Sequence, residues 1–120
     1  RTKLKKGGLV YIEVPHSKDF LIQGISLKEF KDFTFWSEHL ILHTKESLKK
    51  FVEKSGFKVL SIKGIQRYTF TNHIYWLLMK KPKGHLILKY LNFILLTKLY
   101  EKILSIFNNN DTLLLIAEKR

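Results

Sequence analysis

Two adjacent titratable side chains, Glu38 and His39, are the strongest candidates for acid–base chemistry in this sequence. Histidine titrates near neutrality, and burial can raise the pKa of a glutamate toward the same range. One of the two could therefore remove a proton from a bound molecule while the other delivers one. The competing interpretation is that the two side chains only hold each other in a structural hydrogen bond.

A second candidate, His16, follows directly after an apolar run of strand length. Open α/β sheets bind ligands at the carboxyl ends of their strands, and this position favours a substrate-binding role for His16. His43 stands one helical turn from His39, but no third ligand follows at a suitable spacing, so we predict no metal site. His73 and His85 are expected to be exposed or to lie at an interface, and neither receives a role.

The apolar run before His16 predicts a buried strand. Gly7 and Gly8 mark a turn, five of the next six residues are apolar or aromatic, and Pro15 ends the run. Such a run fits a strand covered on both faces, as in a parallel sheet. A parallel strand needs neighbours that crossover connections supply. Because the chain starts at Arg1 without such segments, we expect it to hold only part of a domain.

An aromatic cluster at Phe30, Phe33, Phe35 and Trp36 follows this strand. It fits either a short helix packed over the end of the strand or a loop that lines a pocket.

The clearest helix is predicted over residues 44–55. Thr44 is a suitable N-cap residue, and apolar residues inside the segment recur at the i, i+3, i+4 spacing of one helix face. Gly56 fits the left-handed position that commonly follows a helix. A strand with partial apolar alternation is predicted next, over residues 57–63.

A long apolar segment from residue 68 to residue 107 follows, and its second part, residues 86–107, has the length of a helix. Charged residues interrupt it, which argues against a transmembrane span. Three interpretations stay open: a helical lid over a binding pocket, a surface that docks on an anionic membrane through residues 74–107, and a dimer interface. Turn-forming residues at 108–111 end the segment, and residues 112–117 predict a buried final strand.

The chain carries 22 lysines and arginines against 10 acidic residues, a net charge of +12. A basic excess attracts polyanions, but these lysines are spread through every segment, whereas nucleic-acid-binding proteins cluster arginine and aromatic residues on one face. We therefore predict a solvated basic surface and no nucleic-acid partner.

The absence of cysteine excludes disulfides and thiol nucleophiles. With no signal-peptide pattern either, we expect a cytoplasmic protein, peripheral to the inner membrane face if the docking interpretation holds.

The order of these segments resembles class I S-adenosyl-L-methionine (AdoMet)-dependent methyltransferases. The sequences that carry the resemblance are LKKGGLVYIEVP at residues 4–15, EHL at 38–40, TKESLKKFVEKSGFKV at 44–59, and the final strand that closes on AEK at 117–119. Within the family, the chain is similar to the branch that contains sugar C-methyltransferases. The resemblance covers residues 4–65 and 112–120.

The resemblance implies an α/β fold, an incomplete Rossmann-like methyltransferase sheet made of the last three strands. The strand after Gly8 resembles the fifth strand of the family, and residues 47–59 resemble the last helix and the sixth strand. Residues 112–117 resemble the seventh strand, which in this family runs antiparallel between the fifth and the sixth. Residues 66–110 would be a helical insertion before this final strand.

For function, the resemblance implies S-adenosyl-L-methionine as cofactor, bound mainly by an amino-terminal half. The chain has no Gly-x-Gly segment of the kind that lets a backbone approach the cofactor, so we expect it to be inactive alone. It would supply the acceptor side, with Glu38 and His39 as acid and base and with His16 and Trp36 binding the acceptor. Trp36 stands where the family has a tyrosine and has no ionisable hydroxyl.

The expected acceptor is a small molecule, with a sugar or a lipid-linked glycan as candidates. Exposed strand edges in an incomplete sheet can pair with a second copy of the chain, so a homodimer is a further alternative. The alternative function is a non-catalytic basic module that docks to an anionic membrane surface or to a partner protein.

Overall fold

The computed structural model of the chain describes residues 3–35, 40–88, 90 and 93–120, and for His85 it describes the backbone alone. The fold is mixed α/β, as expected from the sequence. In chain order the elements are strand β1 (Leu9–Pro15), a π-helical turn (Phe20–Gly24), helices α1 (Lys28–Thr34) and α2 (Lys45–Lys54), strand β2 (Phe57–Ile65), helices α3 (Phe70–Met79), α4 (Gly84–Ile87) and α5 (Ile94–Ile106), and strand β3 (Thr112–Lys119).

The last strand lies in the middle of the three-stranded sheet. The strand order is β1-β3-β2, and β3 runs antiparallel to both neighbours. Leu115 of β3 stands opposite Ile12 of β1 on one side and Ile62 of β2 on the other. β1 and β2 therefore point the same way, and their carboxyl ends meet the amino end of β3 at one edge of the sheet. The position and direction of the last strand are those that the resemblance implied.

Strand β1 differs from the strand predicted for it. The expectation of a strand buried on both faces in a parallel sheet was wrong, because β1 pairs antiparallel with β3. Its first six side chains alternate between exposed and half-buried, and Tyr11 is 64% exposed. An antiparallel sheet can keep one face in water while the other packs against a helix. The apolar run predicted that both faces of β1 are buried, whereas in the structure only one face is packed.

Helix α2 covers the packed face of the sheet. Leu48 and Val52 of α2 pack onto the fully buried Leu113, Leu115 and Ala117 of β3. The side chain of Thr44 accepts a hydrogen bond from the backbone N–H of Ser47, and the Ser47 hydroxyl accepts one in return from the Thr44 backbone. This capping box confirms the predicted start of the helix.

The carboxyl end of α2 was also predicted correctly. Gly56 follows the helix with a φ of +84°, the left-handed conformation that glycine adopts without steric cost. Strand β2 then begins at Phe57 and extends two residues beyond the predicted end. Its alternation is only partial because the register shifts between Val59 and Ser61, which leaves Leu60 unpaired and exposed in a bulge.

The described part of the connection from β2 to β3 contains three helices, α3, α4 and α5. The second part of the predicted apolar segment, residues 86–107, is not one helix: its described residues include the end of α4 and the whole of α5. Trp76 of α3 packs with Leu21, Ile22 and Phe30 in a second, separate core. In the described residues, no helix has the length and apolar character needed to cross a membrane.

Candidate functional site

A cleft of about 410 Å³ opens where β1 and β2 end and β3 begins. This edge is where α/β sheets characteristically hold their ligands. Its lining combines aromatic side chains of α1 with buried polar groups from the strand ends. The lining residues are Pro15, His16, Asp19, Ile22, Phe30, Phe33, Thr34, Arg67, Tyr68, Asp111 and Thr112. His16, predicted from the sequence to bind substrate, is therefore placed at the expected edge of the sheet.

The imidazole of His16 is fully buried and held by the residues that precede β3. Its backbone N–H donates to the carbonyl of Asp111 at 2.8 Å, and its Nδ1 donates to the carbonyl of Asn110 at 3.0 Å. A carbonyl can only accept, so Nδ1 carries the hydrogen and Nε2 carries a lone pair.

The environment favours the neutral form of this ring. Burial lowers the pKa of His16 more than the Asn110 hydrogen bond raises it, and the positive charges of Lys45 and Lys18 lower it further. Nε2 has no hydrogen-bond partner among the described residues. A neutral imidazole whose buried Nε2 lacks a partner can accept a hydrogen bond or a proton from a group that reaches it.

Asp19 contributes a buried carboxyl to the same cleft. It accepts hydrogen bonds from the backbone N–H groups of Leu21 at 2.6 Å and Ile22 at 3.3 Å, which caps the π-helical turn. Burial raises the pKa of Asp19 to about 7, and the neighbouring charge of Asp111 adds to the increase. Asp19 can therefore exchange a proton near neutral pH.

Asp111 contributes a second buried carboxyl to the cleft. Its carboxylate accepts from the backbone N–H of Arg67 at 3.0 Å and of Tyr68 at 2.6 Å, and from the Thr112 hydroxyl at 2.6 Å. Burial raises the pKa of Asp111 despite these hydrogen bonds. The carboxylate ties the chain that leaves β2 to the start of β3, and this contact places Tyr68 at the cleft.

Arg67 pairs with β1 across the end of the sheet. Its guanidinium donates to both carboxylate oxygens of Glu13, at 2.8 and 2.7 Å, and the hydrogen bond lowers the pKa of Glu13. Two guanidinium nitrogens are hydrogen-bonded to the two oxygens of one carboxylate, and both side chains are exposed. Arg67 therefore borders the cleft as a cation that is already paired.

The apolar wall of the cleft comes from α1. Of the predicted aromatic cluster, Phe30 and Phe33 lie in this short helix, and it is the helix, not a loop, that lines the cleft; Trp36 lies outside the described residues. Phe30 is buried with its ring edge-on to Trp76, 5.0 Å between centroids, and Phe33 lies 5.2 Å from the same indole. Both phenylalanines line the cleft. In the described part of the chain, α3, α4 and α5 contribute no lining residue to it.

A buried histidine–tyrosine pair joins α3 to α5. The expectation that His73 is exposed or interfacial was wrong, since His73 is buried and shares a hydrogen bond between its Nδ1 and the Tyr100 hydroxyl. Its ring also stacks on Phe20 at 6.1 Å. Burial lowers the pKa of His73 to about 4 and raises that of Tyr100 above its ordinary value.

Three predicted site residues, Glu38, His39 and Trp36, lie outside the described residues, as does the side chain of His85. On the amino-terminal side of residues 36–39, Thr34 lines the cleft. On the carboxyl-terminal side, the carbonyl of His43 accepts from the backbone N–H of Ser17, next to His16, but His43 is not a lining residue.

The ring of His43 lies beside Phe51 and its Nδ1 is 3.3 Å from the Ser47 hydroxyl, away from the cleft lining. Among the described residues, no group of three histidine, aspartate or glutamate side chains is arranged to hold a metal ion.

Sequence reasoning missed Asp19 and Asp111. Each had a local signal: an aspartate directly before an apolar run is a common helix cap, and Asp111 closes a turn-forming run. Neither signal indicates that the two carboxyls share a cleft, since 92 positions separate them. Comparison of the chain with protein-family models, with curated proteins and with solved structures finds no match.

Proposed function

We propose that this chain is the acceptor-side part of an AdoMet-dependent methyltransferase that acts on a small molecule, with a sugar or a lipid-linked glycan as candidate acceptors. One observation carries the proposal: the last strand is inserted antiparallel between β1 and β2. Sheets more often place consecutive strands side by side, so this order is an unusual feature to share with the family that the sequence resembles.

The cleft supports the acceptor role. It lies at the carboxyl ends of β1 and β2, and it combines an aromatic wall from α1 with the buried polar groups of His16 and Asp19. Small-molecule sites are typically concave and apolar with a few converging polar groups. Carboxyl and imidazole groups can accept hydrogen bonds from the hydroxyls of a sugar, and aromatic rings can pack against its apolar face.

His16 is the base in this proposal. Transfer of a methyl group to an oxygen, or to a carbon beside a carbonyl, requires that the acceptor lose a proton. The neutral His16 ring holds a hydrogen on Nδ1, so Nε2 takes up the acceptor's proton and the ring becomes an imidazolium. Glu38 and His39 stay candidates for a second proton-transfer step, because Thr34, four residues before Glu38, lines this cleft.

The cofactor does not fit the residues of this chain. No Gly-x-Gly segment, which would let the backbone approach the cofactor closely, occurs in it. In this proposal other residues of the enzyme hold AdoMet, and this chain holds the acceptor and accepts its proton.

Calorimetric titration with AdoMet tests the proposal. The complete product of the gene that encodes this sequence is compared with the 120-residue chain alone. We expect the complete product to bind AdoMet and the chain alone to give no heat of binding. If the complete product does not bind AdoMet, the methyltransferase proposal is wrong and the non-catalytic module is favoured. Binding by the chain alone would show that the cofactor site has been assigned to the wrong residues.

A further inference from the structure

Helix α5 turns an apolar stripe away from the protein. Its inner side packs through Tyr100, which bonds to His73, and through the buried Leu104. On the opposite side Leu95, Leu99 and Ile106 follow one another at intervals of four and seven residues, which places them on one face of a helix. They are 83%, 55% and 71% exposed. A helix on the surface of a globular protein normally carries polar residues there.

Several of the described residues before α5 are apolar and exposed as well. Leu86 and Ile87 of α4 and Phe93, the residue before α5, are each more than half exposed. Exposed apolar surface of this extent typically marks an interaction site.

Positive charge accompanies this apolar surface. Residues 74–107 contain six lysines and a single acidic residue, Glu101. Lys98 and Lys102 are exposed, and their spacing from Leu95, three and seven positions, puts them along the edge of the apolar stripe. Lysine side chains in such positions can lay their methylene stems along apolar surface while the ammonium groups reach outward.

We propose that the outer face of α5, formed by Leu95, Leu99 and Ile106 with Lys98 and Lys102 at its edge, docks on an anionic phospholipid bilayer. An apolar stripe bordered by lysines is the pattern of helices that lie in the membrane interface. The 13 residues of α5 extend about 20 Å, too short for a hydrocarbon core of about 30 Å, so the helix lies along the surface.

Charge favours a lipid surface over a second copy of the chain. Pairing two outer faces of α5 would bring lysines of like charge together, which opposes association. An anionic leaflet presents phosphate and carboxylate groups to the same lysines and attracts them. This inference stands independently of methyl transfer, since it uses no residue of the cleft.

Vesicle flotation tests the inference on a polypeptide that contains the whole 120-residue sequence. The vesicles are phosphatidylcholine alone or phosphatidylcholine mixed with phosphatidylglycerol. We expect flotation with the mixed vesicles, and we expect Lys98→Gln/Lys102→Gln to lower the partition coefficient by roughly tenfold or more. The matched control, Lys49→Gln/Lys50→Gln on the exposed side of α2, removes the same charge and should float like the unsubstituted protein. No flotation with phosphatidylglycerol, or equal losses in the two lysine variants, contradicts the proposal.

A second measurement does not depend on removing any stabilising side chain. Because the chain has no cysteine, a fluorophore sensitive to its surroundings can be attached at a single position by Leu95→Cys, with Lys49→Cys as control. Mixed vesicles should shift the emission of the Leu95→Cys label to the blue and leave the control unchanged. If the label shifts instead with protein concentration in the absence of vesicles, a second copy covers this face and the proposal is wrong.

Discussion

His16 Nδ1 donates a hydrogen bond to the carbonyl of Asn110 over 3.0 Å, between residues 94 positions apart in sequence. The bond joins the end of β1 to the residues that precede β3, and it determines which nitrogen of the ring is basic. Asn110 is in turn held beside β2, because Gly64 has no Cβ to displace it. A Cβ at Gly64 would stand 2.5 Å from Asn110 Oδ1. The orientation of the His16 ring at the end of β1 thus depends on the close packing of Asn110 against Gly64 of β2.

Gly64→Ala should destabilise the protein through this contact. The added methyl group meets the side chain of Asn110, which is buried and hydrogen-bonded to Ser105 and cannot easily move aside. We expect a loss of about 1–3 kcal/mol in the free energy of unfolding, measured by urea denaturation.

The double variant Gly64→Ala/Asn110→Ala separates this clash from other effects of the alanine. Removing the Asn110 side chain makes room for the methyl group and keeps the backbone carbonyl that His16 uses. The double variant should therefore be more stable than the sum of the two single changes indicates. Strict additivity would mean that the contact with Asn110 does not cause the loss.

Asp19→Asn should stabilise the protein increasingly as the pH rises. The pKa of Asp19 is raised from 3.8 to about 7 in the folded state, so between these values the folded protein keeps a proton that the unfolded chain has lost. Stability attributable to the wild-type carboxyl is therefore highest below about pH 4 and decreases until about pH 7. Asparagine keeps the capping oxygen and cannot ionise.

The difference in unfolding free energy between Asp19→Asn and wild type should be small at pH 4 and on the order of a few kcal/mol above pH 7. The difference between the two proteins is the proper measure, because the lowered pKa of His73 makes the stability of both fall as pH decreases from 6.5 toward 4. A difference that stays constant from pH 4 to pH 8 would show that Asp19 ionises normally.

Tyr100→Phe should weaken the connection between α3 and α5. The change leaves Nδ1 of the buried His73 without its partner, and an unsatisfied buried polar atom costs about 1–3 kcal/mol. Tyr11→Phe is the matched control, because the Tyr11 side chain lies exposed on β1. Chemical denaturation of the two variants should show a loss for Tyr100→Phe alone. Equal stabilities would mean that the hydrogen bond contributes nothing.

The parts of the fold that were predicted correctly depend on short-range signals. Thr44 and Gly56 bound α2 by capping chemistry within a few residues, and the turn before β3 is encoded by four consecutive polar residues, with Asn108 at a φ of +55°. His16 was placed correctly because its position depends only on where β1 ends.

The parts that were wrong or missed depend on partners distant in sequence. Tyr11 is exposed because α2 packs on the opposite face of the sheet, against Val10, Ile12 and Val14, which the apolar run itself cannot reveal. His73 is buried where α5 packs on α3 and supplies Tyr100, and Asp19 has a raised pKa first because the fold buries it and then because Asp111 lies near it. In each case the decisive interaction is tertiary, and local propensity carries no record of it.

The pH dependence of methyl transfer in the complete gene product, with and without His16→Asn, tests the proposed chemistry most directly. Tritiated-methyl AdoMet would be supplied with a panel of sugars, nucleotide sugars and polyprenyl-linked sugars. His43→Asn, outside the cleft lining, serves as the matched control, and circular dichroism checks that each variant is folded.

Burial lowers the pKa of His16, so the wild-type rate should rise with pH along a limb that lies below pH 6.5. His16→Asn should lose that limb and about a hundredfold or more of the rate, while His43→Asn keeps both. Unchanged rate and pH dependence in His16→Asn, or no methyl transfer by the wild type, would contradict the assignment of this cleft as the acceptor site of a methyltransferase.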